Sequence, residues 1–596
     1  LGSGPVTINT GGRLRLWIQN TQTHNFINNL TINGGRLHGE DGVYNVNGTI
    51  AVGTLGATFS GVWGGKNLLI NGIISGDGPV TIESGSSQVR FFANNTYTGA
   101  TTIATGSLLL NGTDATSGYT VASGTSLVLR AASITGNISG PGTVTKDVST
   151  YGSSTINGTN NTYTGATTVN IDRFTVGAAG VINGTSGITV QAQWGANFNN
   201  LGSVTTPGNV TVAGSGNTTG GGVATDSSTF RNAGTLNAAS LLLNSSASTN
   251  TTANRGGTFT QTAGSTTLTT AATLSANGGT GAAGTAGNDA TLNLSGGSLT
   301  ASAIEINAGT LNASGGTLTL GAGGLTRTGT NTIVVSFGAT TLAASAPWTT
   351  TLAAALTDST TGTTVDTTGG NITLGGGLTG TGNLIKSGAG TLVISAANTY
   401  TGTTTVNGGV LAVDGDSLAD AGDLIIDGGV VAPSGGTEVV NKLFFGGVQQ
   451  AAGTWGATGS GATNIDNTRF TGTGVVSVTT APLGGYAFWA SSNANSQAAN
   501  LDADGDGVAN GVEYFLGATG LTFTANPQPD ANQTITWANG GNISSADYGS
   551  KFVVQISDDL ITWTNVPLSG VVNTASALSY TLTGSGKQFA RLLVTP

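Results

Sequence analysis

The amino-acid sequence predicts an all-β chain whose main part is a parallel β-solenoid, in which short strands stack coil upon coil. The first observation is a two-residue hydrophobic period in short segments, as in the Val-Thr-Ile of residues 6–8 and the Leu-Arg-Leu of residues 14–16. The second is the abundance of glycine, 100 of 596 residues, which suits corners that need positive φ angles. The third is internal repetition, which indicates a repeat architecture.

Two sequence blocks return along the chain. The first combines a glycine turn with a short apolar strand, and it covers residues 1–8, 74–82, 138–146 and 378–386. The second reads Asn-Thr-Tyr-Thr-Gly, then Ala or Thr, then Thr-Thr and a final Ile or Val, and it covers residues 95–103, 161–169 and 398–406. The turn of the first block and the tyrosine of the second are about 20 residues apart, which suits one coil of a solenoid.

Stacking explains why such coils would fold together although none is stable alone. Each coil leaves its inward Val, Ile and Leu side chains uncovered, and its neighbours complete a continuous core. We expect Thr and Asn side chains to lie above their equivalents and to hydrogen-bond along the axis. We also expect Tyr97, Tyr163 and Tyr400 to occupy equivalent corners as packing residues.

Composition excludes several classes of function. The formal charge is −10, with 7% charged residues and no cluster of Lys and Arg, so we predict no nucleic-acid binding. Cysteine is absent, which excludes disulfides and thiol chemistry. No apolar run reaches about 18 residues, so we predict no membrane-spanning helix. Methionine is also absent, and we expect a removed signal peptide upstream and therefore export.

Three regions follow one another along the chain. We predict a solenoid over residues 1–480, with plainer Gly/Ala/Thr/Ser/Asn-rich coils between about 205 and 345. The composition changes near Pro482, and residues 481–520 are predicted to hold one helix, from 485 to about 500, and a loop. Short strands without the repeat return over residues 521–596, at 534–537, 552–556, 560–563 and 589–594, and predict a small β-sandwich.

Residues 382–413 resemble the autotransporter-associated β-strand repeat over nearly its full length, and residues 91–110 and 157–170 carry its central half. Residues 452–464 and 472–476 resemble the closing segment of such arrays. The resemblance implies a right-handed parallel β-helix of the kind found in exported passenger domains of diderm bacteria. The C-terminal arrangement resembles modules that often follow these arrays, where sorting or surface attachment is suspected.

The strongest local motif is Asp-Ala-Asp-Gly-Asp-Gly-Val-Ala-Asn-Gly-Val-Glu at 502–513, which fits D-x-[DN]-x-[DN]-G-x5-E without a mismatch. This spacing directs oxygen ligands to one point, because Gly507 allows a sharp turn and Glu513 closes the shell with two oxygens. Four carboxylates so close together would repel one another without a cation. We therefore predict a structural Ca²⁺ site whose ligands are Asp502, Asp504, Asp506, Val508 through its carbonyl, Asn510 and Glu513.

Two further polar groups offer weaker candidates. Residues 36–41 hold Arg36, His38, Glu40 and Asp41, and strand alternation would place Arg36 and His38 on one face, with Arg13 and Arg15 about one coil away. Parallel β-helices can carry polysaccharide lyases and hydrolases on such a face, but ordinary surface salt bridges are the favoured interpretation. The second group is either a solvated edge or a weak second Ca²⁺ site, and comprises Asp414, Asp416, Asp420, Asp423 and Asp427.

These observations favour a secreted, cell-surface protein with a structural or adhesive role and without enzymatic activity. Two alternatives remain open: a carbohydrate-active lyase or hydrolase on the same β-helix, and a sugar-binding surface module. An enzyme would need a dense cleft of acids and bases, whereas the predicted solenoid face is mainly Thr, Asn and Ser. Contact with a cell surface or with glycans is compatible with all three.

We also expect head-to-tail association into fibres. Residues 1–8 already form a full repeat block, similar to residues 74–82, and the sequence shows no polar cap before them. Either upstream residues are missing from it, or another subunit covers this edge. An uncapped coil offers unpaired backbone groups to another subunit. The partner surface would be the far end of the solenoid or the terminal sandwich, and such a heterologous contact extends as a filament.

Overall fold

A computed structural model describes every residue except 1, 18–22, 63–66, 148–151, 192–194, 214–227, 245–255, 275–289, 416, 483 and 584–585. The first residue of the block at 1–8, Leu1, and one residue of the second acidic group, Asp416, thus lie outside the described residues. The chain divides into two compact units. One comprises Leu1–Val448 and Gly453–Thr479, and the other comprises Gln449–Ala452 and Thr480–Pro596.

The first unit is a parallel β-solenoid, which confirms the predicted fold. Val6 pairs in parallel with Leu30, and Leu30 pairs in turn with Ile50 on the following coil. The same spacing in sequence, from Leu30 to Ile50, separates paired residues of successive coils near the other end of the unit. The interval is wider where Val210 pairs with Leu241. The plainer coils therefore belong to the same solenoid but carry longer connections.

Most solenoid strands are short, because glycine and polar corners interrupt them. The two longest strands, Thr291–Ile306 and Gly309–Thr326, continue through their corners, and so do Val80–Phe91 and Thr101–Leu110. The first third of the strands comprises Val6–Asn9, Arg13–Trp17, Thr23–Phe26, Leu30–Asn33, Gly35–Glu40, Val43–Val46, Ile50–Val52, Ala57–Val62, Asn67–Ile70, Ile74–Gly76, Val80–Phe91, Thr101–Leu110, Thr113–Asp114, Gly118–Val121 and Ser126–Leu129. The middle comprises Ser133–Ile134, Asn137–Ser139, Thr143–Lys146, Ser154–Ile156, Thr167–Val169, Arg173–Val176, Val181–Asn183, Ile188–Val190, Asn197–Asn200, Ser203–Thr205, Val210–Val212, Thr229–Asn232, Thr235–Ala238, Leu241–Leu243, Thr258–Gln261, Ser265–Leu268, Ala271–Leu274 and the two longest strands. The last comprises Ile333–Phe337, Thr341–Ala344, Trp348–Thr350, Ala354–Leu356, Thr363–Asp366, Ile372–Leu374, Leu378–Gly380, Leu384–Ser387, Thr391–Ile394, Thr404–Val406, Val410–Val413, Leu424–Ile426, Val430–Pro433, Thr437–Val440, Leu443–Phe445, Val448–Gln449, Gly453–Gly456, Asn464–Ile465 and Val475–Val478.

The solenoid core consists of side chains stacked along the axis. Phe174, Phe198, Phe230 and Phe259 are all fully buried, and successive ring centroids are 5.1, 4.6 and 5.5 Å apart. Their strands pair in register, so that each ring lies beside the equivalent ring of the next coil. This arrangement buries large apolar surfaces and adds aromatic contacts.

Buried amides form a second ladder beside the rings. The Nδ2 atom of Asn200 donates to Oδ1 of Asn232 at 2.7 Å, and Nδ2 of Asn232 donates to Oε1 of Gln261 at 3.0 Å. All three residues are fully buried. The expected hydrogen bonding along the axis is therefore confirmed, and it satisfies amide N–H groups that would be costly to bury unpaired. Oδ1 of Asn200 has no hydrogen-bond partner among the described residues.

The three repeat tyrosines occupy equivalent corners, as predicted. Tyr97, Tyr163 and Tyr400 are fully buried, and each hydroxyl hydrogen-bonds the threonine hydroxyl four residues later. For Tyr97 and Tyr163 the oxygen–oxygen distance is 2.7 Å. Burial leaves no ring face for a ligand, so these tyrosines are packing residues.

The C-terminal end of the solenoid is closed by a change of strand direction. Val475–Val478 pairs in parallel with Thr437–Val440 on one side and antiparallel with Gly453–Gly456 on the other. Aromatic contacts join Phe445 to Trp455 and Phe470 at this end. The segment that resembles the closing element of repeat arrays thus covers the last coil.

The second unit begins with two short helices, α1 at Gly485–Asn493 and α2 at Asn510–Leu516. The predicted helix to about residue 500 was too long, because Asn495 and Ser496 adopt positive φ angles of 50° and 58° that end it. Helix α2 was not predicted, since its seven residues give too short a periodic pattern. No helix within the described residues is long and apolar enough to cross a membrane.

Two three-stranded antiparallel sheets complete this unit and form the predicted small sandwich. Helix α2 belongs to the same hydrophobic core, to which it contributes Tyr514 and Phe515. Two short 3₁₀ turns, Ser545–Asp547 and Leu568–Gly570, join strands of the unit. The first sheet comprises Thr534–Ala538, Ala577–Thr581 and Val572–Asn573, and the second comprises Thr564–Asn565, Phe552–Ser557 and Phe589–Val594.

The prediction of a strand at 560–563 was wrong, because this segment is a tight loop. Oδ1 of Asp559 accepts hydrogen bonds from the backbone N–H groups of Ile561 and Thr562, at 2.8 and 2.7 Å. Leu560 adopts a φ of 62°. A local carboxylate therefore captures the N–H groups that a sheet would have used.

Candidate metal site

The motif at 502–513 covers the end of the connection between α1 and α2 and the first turn of α2. Gly505 and Gly507 have φ angles of 79° and 91°, which glycine adopts readily. These turns bring two backbone N–H groups to the carboxylate of Asp502: Gly505 donates to Oδ1 and Gly507 donates to Oδ2, each at 2.8 Å. The hydrogen bond from Gly507 is the main cause that lowers the pKa of Asp502, which favours its ionised form.

Asp502, Asp504 and Asp506 point toward one another. One carboxylate oxygen from each lies within 4.8 Å of the others. Oδ1 of Asp504 accepts from the N–H of Asp506 at 3.1 Å, and Oδ1 of Asp506 accepts from the N–H of Val508 at 2.7 Å. All three aspartates, at alternate positions of the loop, thus accept hydrogen bonds from the loop's own backbone, which fixes them as convergent ligands require.

Glu513 supplies the buried side of the loop. Its side chain is fully buried, and Oε1 accepts a hydrogen bond from the hydroxyl of Thr524 at 2.9 Å. The other oxygen, Oε2, has no hydrogen-bond partner within the described structure. Burial, reinforced by the three aspartates, raises the pKa of Glu513 to about 7. A buried carboxylate oxygen without a donor is the kind of atom that a cation would satisfy.

These features fit a hard divalent cation with oxygen ligands, and calcium fits best. Asp502, Asp504 and Asp506, which the structure brings together, would hold it, and Glu513, which is not part of that close group, would complete the shell as the motif predicts. The two positive charges of the ion would offset much of the repulsion among these carboxylates. Asn510 is fully buried, and its amide already bonds the backbone: Oδ1 accepts from the N–H of Ala503 at 3.1 Å. Its role as a ligand, and that of the Val508 carbonyl, stay predictions.

The second acidic group is arranged differently. Within the described residues, the only three acidic side chains close enough to share an ion are those at 502, 504 and 506. A buried carboxylate that the sequence analysis missed, Glu438, organises the loop next to Asp414. Its oxygens accept from the backbone N–H groups of Ser417 and Leu418, at 3.0 and 2.6 Å. This region is therefore stabilised by an internal carboxylate.

Two buried lysines were also missed. Lys146 and Lys386 close the first repeat block in two different coils and are both fully buried. Nζ of Lys386 donates to the carbonyls of Ser387, Gly388 and Gly408 at 2.8, 2.8 and 2.9 Å. Strand alternation was the signal that could have revealed them, since each lysine lies two residues after an inward-facing apolar residue.

The polar residues at 36–41 align with the preceding coil as predicted. Arg36 pairs with Arg13, and His38 pairs with Arg15, on adjacent strands. His38 is only 3% exposed, and its Nδ1 atom hydrogen-bonds the hydroxyl of Ser60 at 2.8 Å. Its imidazole is therefore held in place and covered.

Comparison with protein families identifies the repeat. The passenger-associated-transport-repeat model matches residues 82–110 and 384–413. Neither curated proteins nor solved structures gave a match. Each matched segment spans strands of two successive coils and contains one tyrosine corner. The chain thus carries passenger-associated transport repeats as coils of a parallel β-solenoid, consistent with a passenger of the autotransporter-associated β-strand repeat type.

Proposed function

We propose that this chain is the structural and adhesive body of a protein that a diderm bacterium secretes to its surface. The observation that carries the proposal is the coincidence of sequence repeat and structural coil. The matched passenger-associated transport repeats stack through fully buried corners, Tyr97–Thr101 and Tyr400–Thr404. Such a coil can be copied along an axis, and its outward face remains free to vary and to contact a surface.

We infer a non-enzymatic role for the solenoid. The outward side chains of most coils are Thr, Ser and Asn, which lack the acids and bases of a lyase or hydrolase. The one histidine within the polar group at 36–41 is buried. Adhesion requires a shaped polar surface rather than a reactive group.

Calcium is proposed to stabilise the second unit. Three aspartates converge on one point, and the buried Oε2 atom of Glu513 has no donor among the described residues. A bound ion would link the loop to α2, whose Tyr514 and Phe515 belong to the core of the sandwich. Its role would then be structural, as for calcium in many extracellular modules.

End-to-end self-association is the last part of the proposal. Few charges oppose contact between copies, since charged residues make up 7% of the chain. The closed end of the solenoid carries two exposed apolar side chains, Val448 and Ile465, at 65% and 49% exposure. These two side chains favour self-association through the closing segment at that end of the solenoid, rather than through an open parallel coil.

Protease treatment of intact cells that express the native protein tests the proposed location. We expect antibodies against the solenoid to label unpermeabilised cells and added protease to remove the label. A periplasmic control protein should survive the same treatment. Retention of the solenoid behind the outer membrane, with label only after permeabilisation, would contradict the proposal.

A further inference from the structure

One face of the first solenoid coils carries a group of neighbouring charged side chains and an exposed tryptophan. Four strands lie side by side there: Arg13–Trp17, Gly35–Glu40, Ala57–Val62 and Val80–Phe91. Their inward side chains include Leu37, Phe59 and Ile82, all fully buried. The alternate side chains point outward, and with the following turn they form what we call the polar face: Arg13, Arg15, Trp17, Arg36, His38, Glu40, Asp41 and Glu83.

Strand register places these side chains in rows across the coils. Arg13 lies beside Arg36, and Trp17 lies beside Glu40. In the next two coils the row of Arg36 continues with Thr58 and Thr81. In this row neutral threonines thus replace the arginines of the first two coils.

Donors and acceptors alternate on this face. Nε of Arg15 donates to Oε2 of Glu40 at 2.6 Å, and the guanidinium of Arg36 pairs with Glu83 at 2.6 Å across two coils. Arg13 lies 4.0 Å from Glu40. The side chains of Arg13, Arg15 and Arg36 are 48%, 51% and 37% exposed. The N–H groups that are not engaged in these ion pairs therefore face solvent.

Trp17 gives the polar face an aromatic surface. It is 49% exposed, which is unusual for so large a side chain. Its indole N–H donates to Oδ2 of Asp41 at 3.3 Å, and the guanidinium of Arg15 lies 5.4 Å from the ring centre. Asp41 has a φ of 59°, a left-handed conformation that aspartate tolerates. The turn therefore holds the ring by its edge and leaves it accessible.

His38 lies at the base of the polar face. Its Nδ1 atom is anchored to Ser60, and its buried Nε2 atom, 3.5 Å from Oε2 of Glu40, has no hydrogen-bond partner among the described residues. Glu40 is thus bordered by an imidazole and two arginines, which restrict its position. Such restriction lowers the entropy that a ligand must overcome to bind.

We propose that the polar face binds a neutral polysaccharide through stacking on Trp17 and hydrogen bonds from its arginines and carboxylates. A sugar ring offers an apolar C–H face and hydroxyls that both donate and accept, and the polar face offers a complement to each. Three guanidinium groups are balanced by Glu40, Asp41 and Glu83, so a polyanion would meet as much repulsion as attraction. The proposal rests on the adhesive role proposed above and gives it a ligand class.

Affinity electrophoresis of the full chain tests this proposal. The probes are soluble xylan, galactomannan, hydroxyethylcellulose and laminarin, with polygalacturonate as the acidic comparison. We expect at least one neutral polysaccharide to retard the protein, with little effect of added salt. Trp17→Ala should weaken retardation about tenfold, as expected for loss of an exposed aromatic anchor. Glu40→Gln, which keeps the shape of the side chain, should weaken it as well.

Trp563→Ala is the matched control, because Arg591 lies 4.0 Å from the Trp563 ring in the second unit. We expect it to bind as the unmodified protein does, and circular dichroism should show that all variants retain the solenoid. Absence of retardation by every neutral probe would overturn the proposal. So would retardation by polygalacturonate alone, or binding that Trp563→Ala abolishes and Trp17→Ala does not. Surface location is measured separately, so either proposal can fail without the other.

Discussion

The four carboxylates of the 502–513 loop differ in their surroundings, and this difference sets what calcium would do. Asp502 is ionised and held by backbone N–H groups, whereas burial raises the pKa of Glu513 to about 7. A divalent cation would favour the ionised form of every carboxylate, including the buried one. The loop would then become ordered together with α2, and the ion would stabilise the folded second unit by mass action.

We therefore predict that calcium raises the unfolding temperature of the second unit. At a free concentration about 100 times the dissociation constant, the gain should be about 2.7 kcal/mol. Calorimetry in calcium and in chelator measures it. Asp502→Ala should remove most of the gain, whereas Asp558→Ala, an exposed carboxylate elsewhere in the unit, should keep it. Identical unfolding in calcium and chelator would rule out a structural ion.

Lys386 carries a second prediction at the residue scale, concerning pH. Burial lowers its pKa from 10.5 to about 8 in the folded state. Between these values the unfolded chain binds more protons than the folded chain, so stability should rise as pH increases from about 8 to about 10.5. The gain is at most about 3 kcal/mol. Below pH 8 Lys386 is charged in the folded protein, so the full cost of burying its ammonium group lowers the free energy of unfolding.

Lys386→Met supplies the reference for this pH dependence, because methionine has a similar length and no charge. The thermal midpoint of the unmodified protein should rise relative to that of the variant when both are moved from pH 7.5 to pH 10. Equal changes in the two proteins would mean that the folded pKa of Lys386 is near its ordinary value, and that its three carbonyl partners offset burial.

At the scale of strands, two consecutive residues of Thr229–Asn232 provide a stability test and its control. Phe230 lies in the middle of the phenylalanine ladder and is fully buried, whereas Arg231 points outward and is exposed. Phe230→Ala should destabilise the surrounding coils by about 3–5 kcal/mol, because it opens a cavity between two stacked rings. Arg231→Ala should change stability by about 0.5 kcal/mol or less.

Hydrogen exchange measures this effect better than global unfolding, since each coil contacts only its neighbours and can open locally. We expect faster exchange in the strands of Phe198, Phe230 and Phe259 in the Phe230→Ala variant and unchanged exchange in distant coils. Equal protection in the Phe230→Ala and Arg231→Ala variants would contradict the importance of the ladder.

The elements also show what sequence can and cannot predict. The coil period and the tyrosine corners were predictable, because each depends on local residues that repeat at a fixed distance. The loop at 560–563 was not, because its alternating apolar residues fit a strand while the side chain of Asp559 captures the backbone. The sequence motif predicted the three aspartates of the metal loop. It could not predict the burial of Glu513, because that depends on Thr524 and the sandwich core, which lie outside the motif.

For the whole molecule, the direction of strand pairing distinguishes the repeating coils of the solenoid from the segment that ends it. Parallel pairing continues through the coils, and copies of the repeat can be added without altering the core. The antiparallel pairing of Gly453–Gly456 with Val475–Val478 ends that continuity. Asn464–Ile465 then forms the edge of the last sheet. Because this edge strand is very short, it limits pairing with other chains without preventing it.

End-to-end association is the prediction that belongs to this scale. Ile465 is 49% exposed on the edge strand, and burial of such a side chain between copies would favour contact there. Sedimentation velocity over a wide concentration range should show species that grow with concentration. Ile465→Asp should suppress growth, because a charge would be buried in the contact. Leu201→Asp, at a 45% exposed position within the solenoid, should leave growth unchanged. A monomer at every concentration, or equal loss of growth in both variants, would contradict a contact at this end.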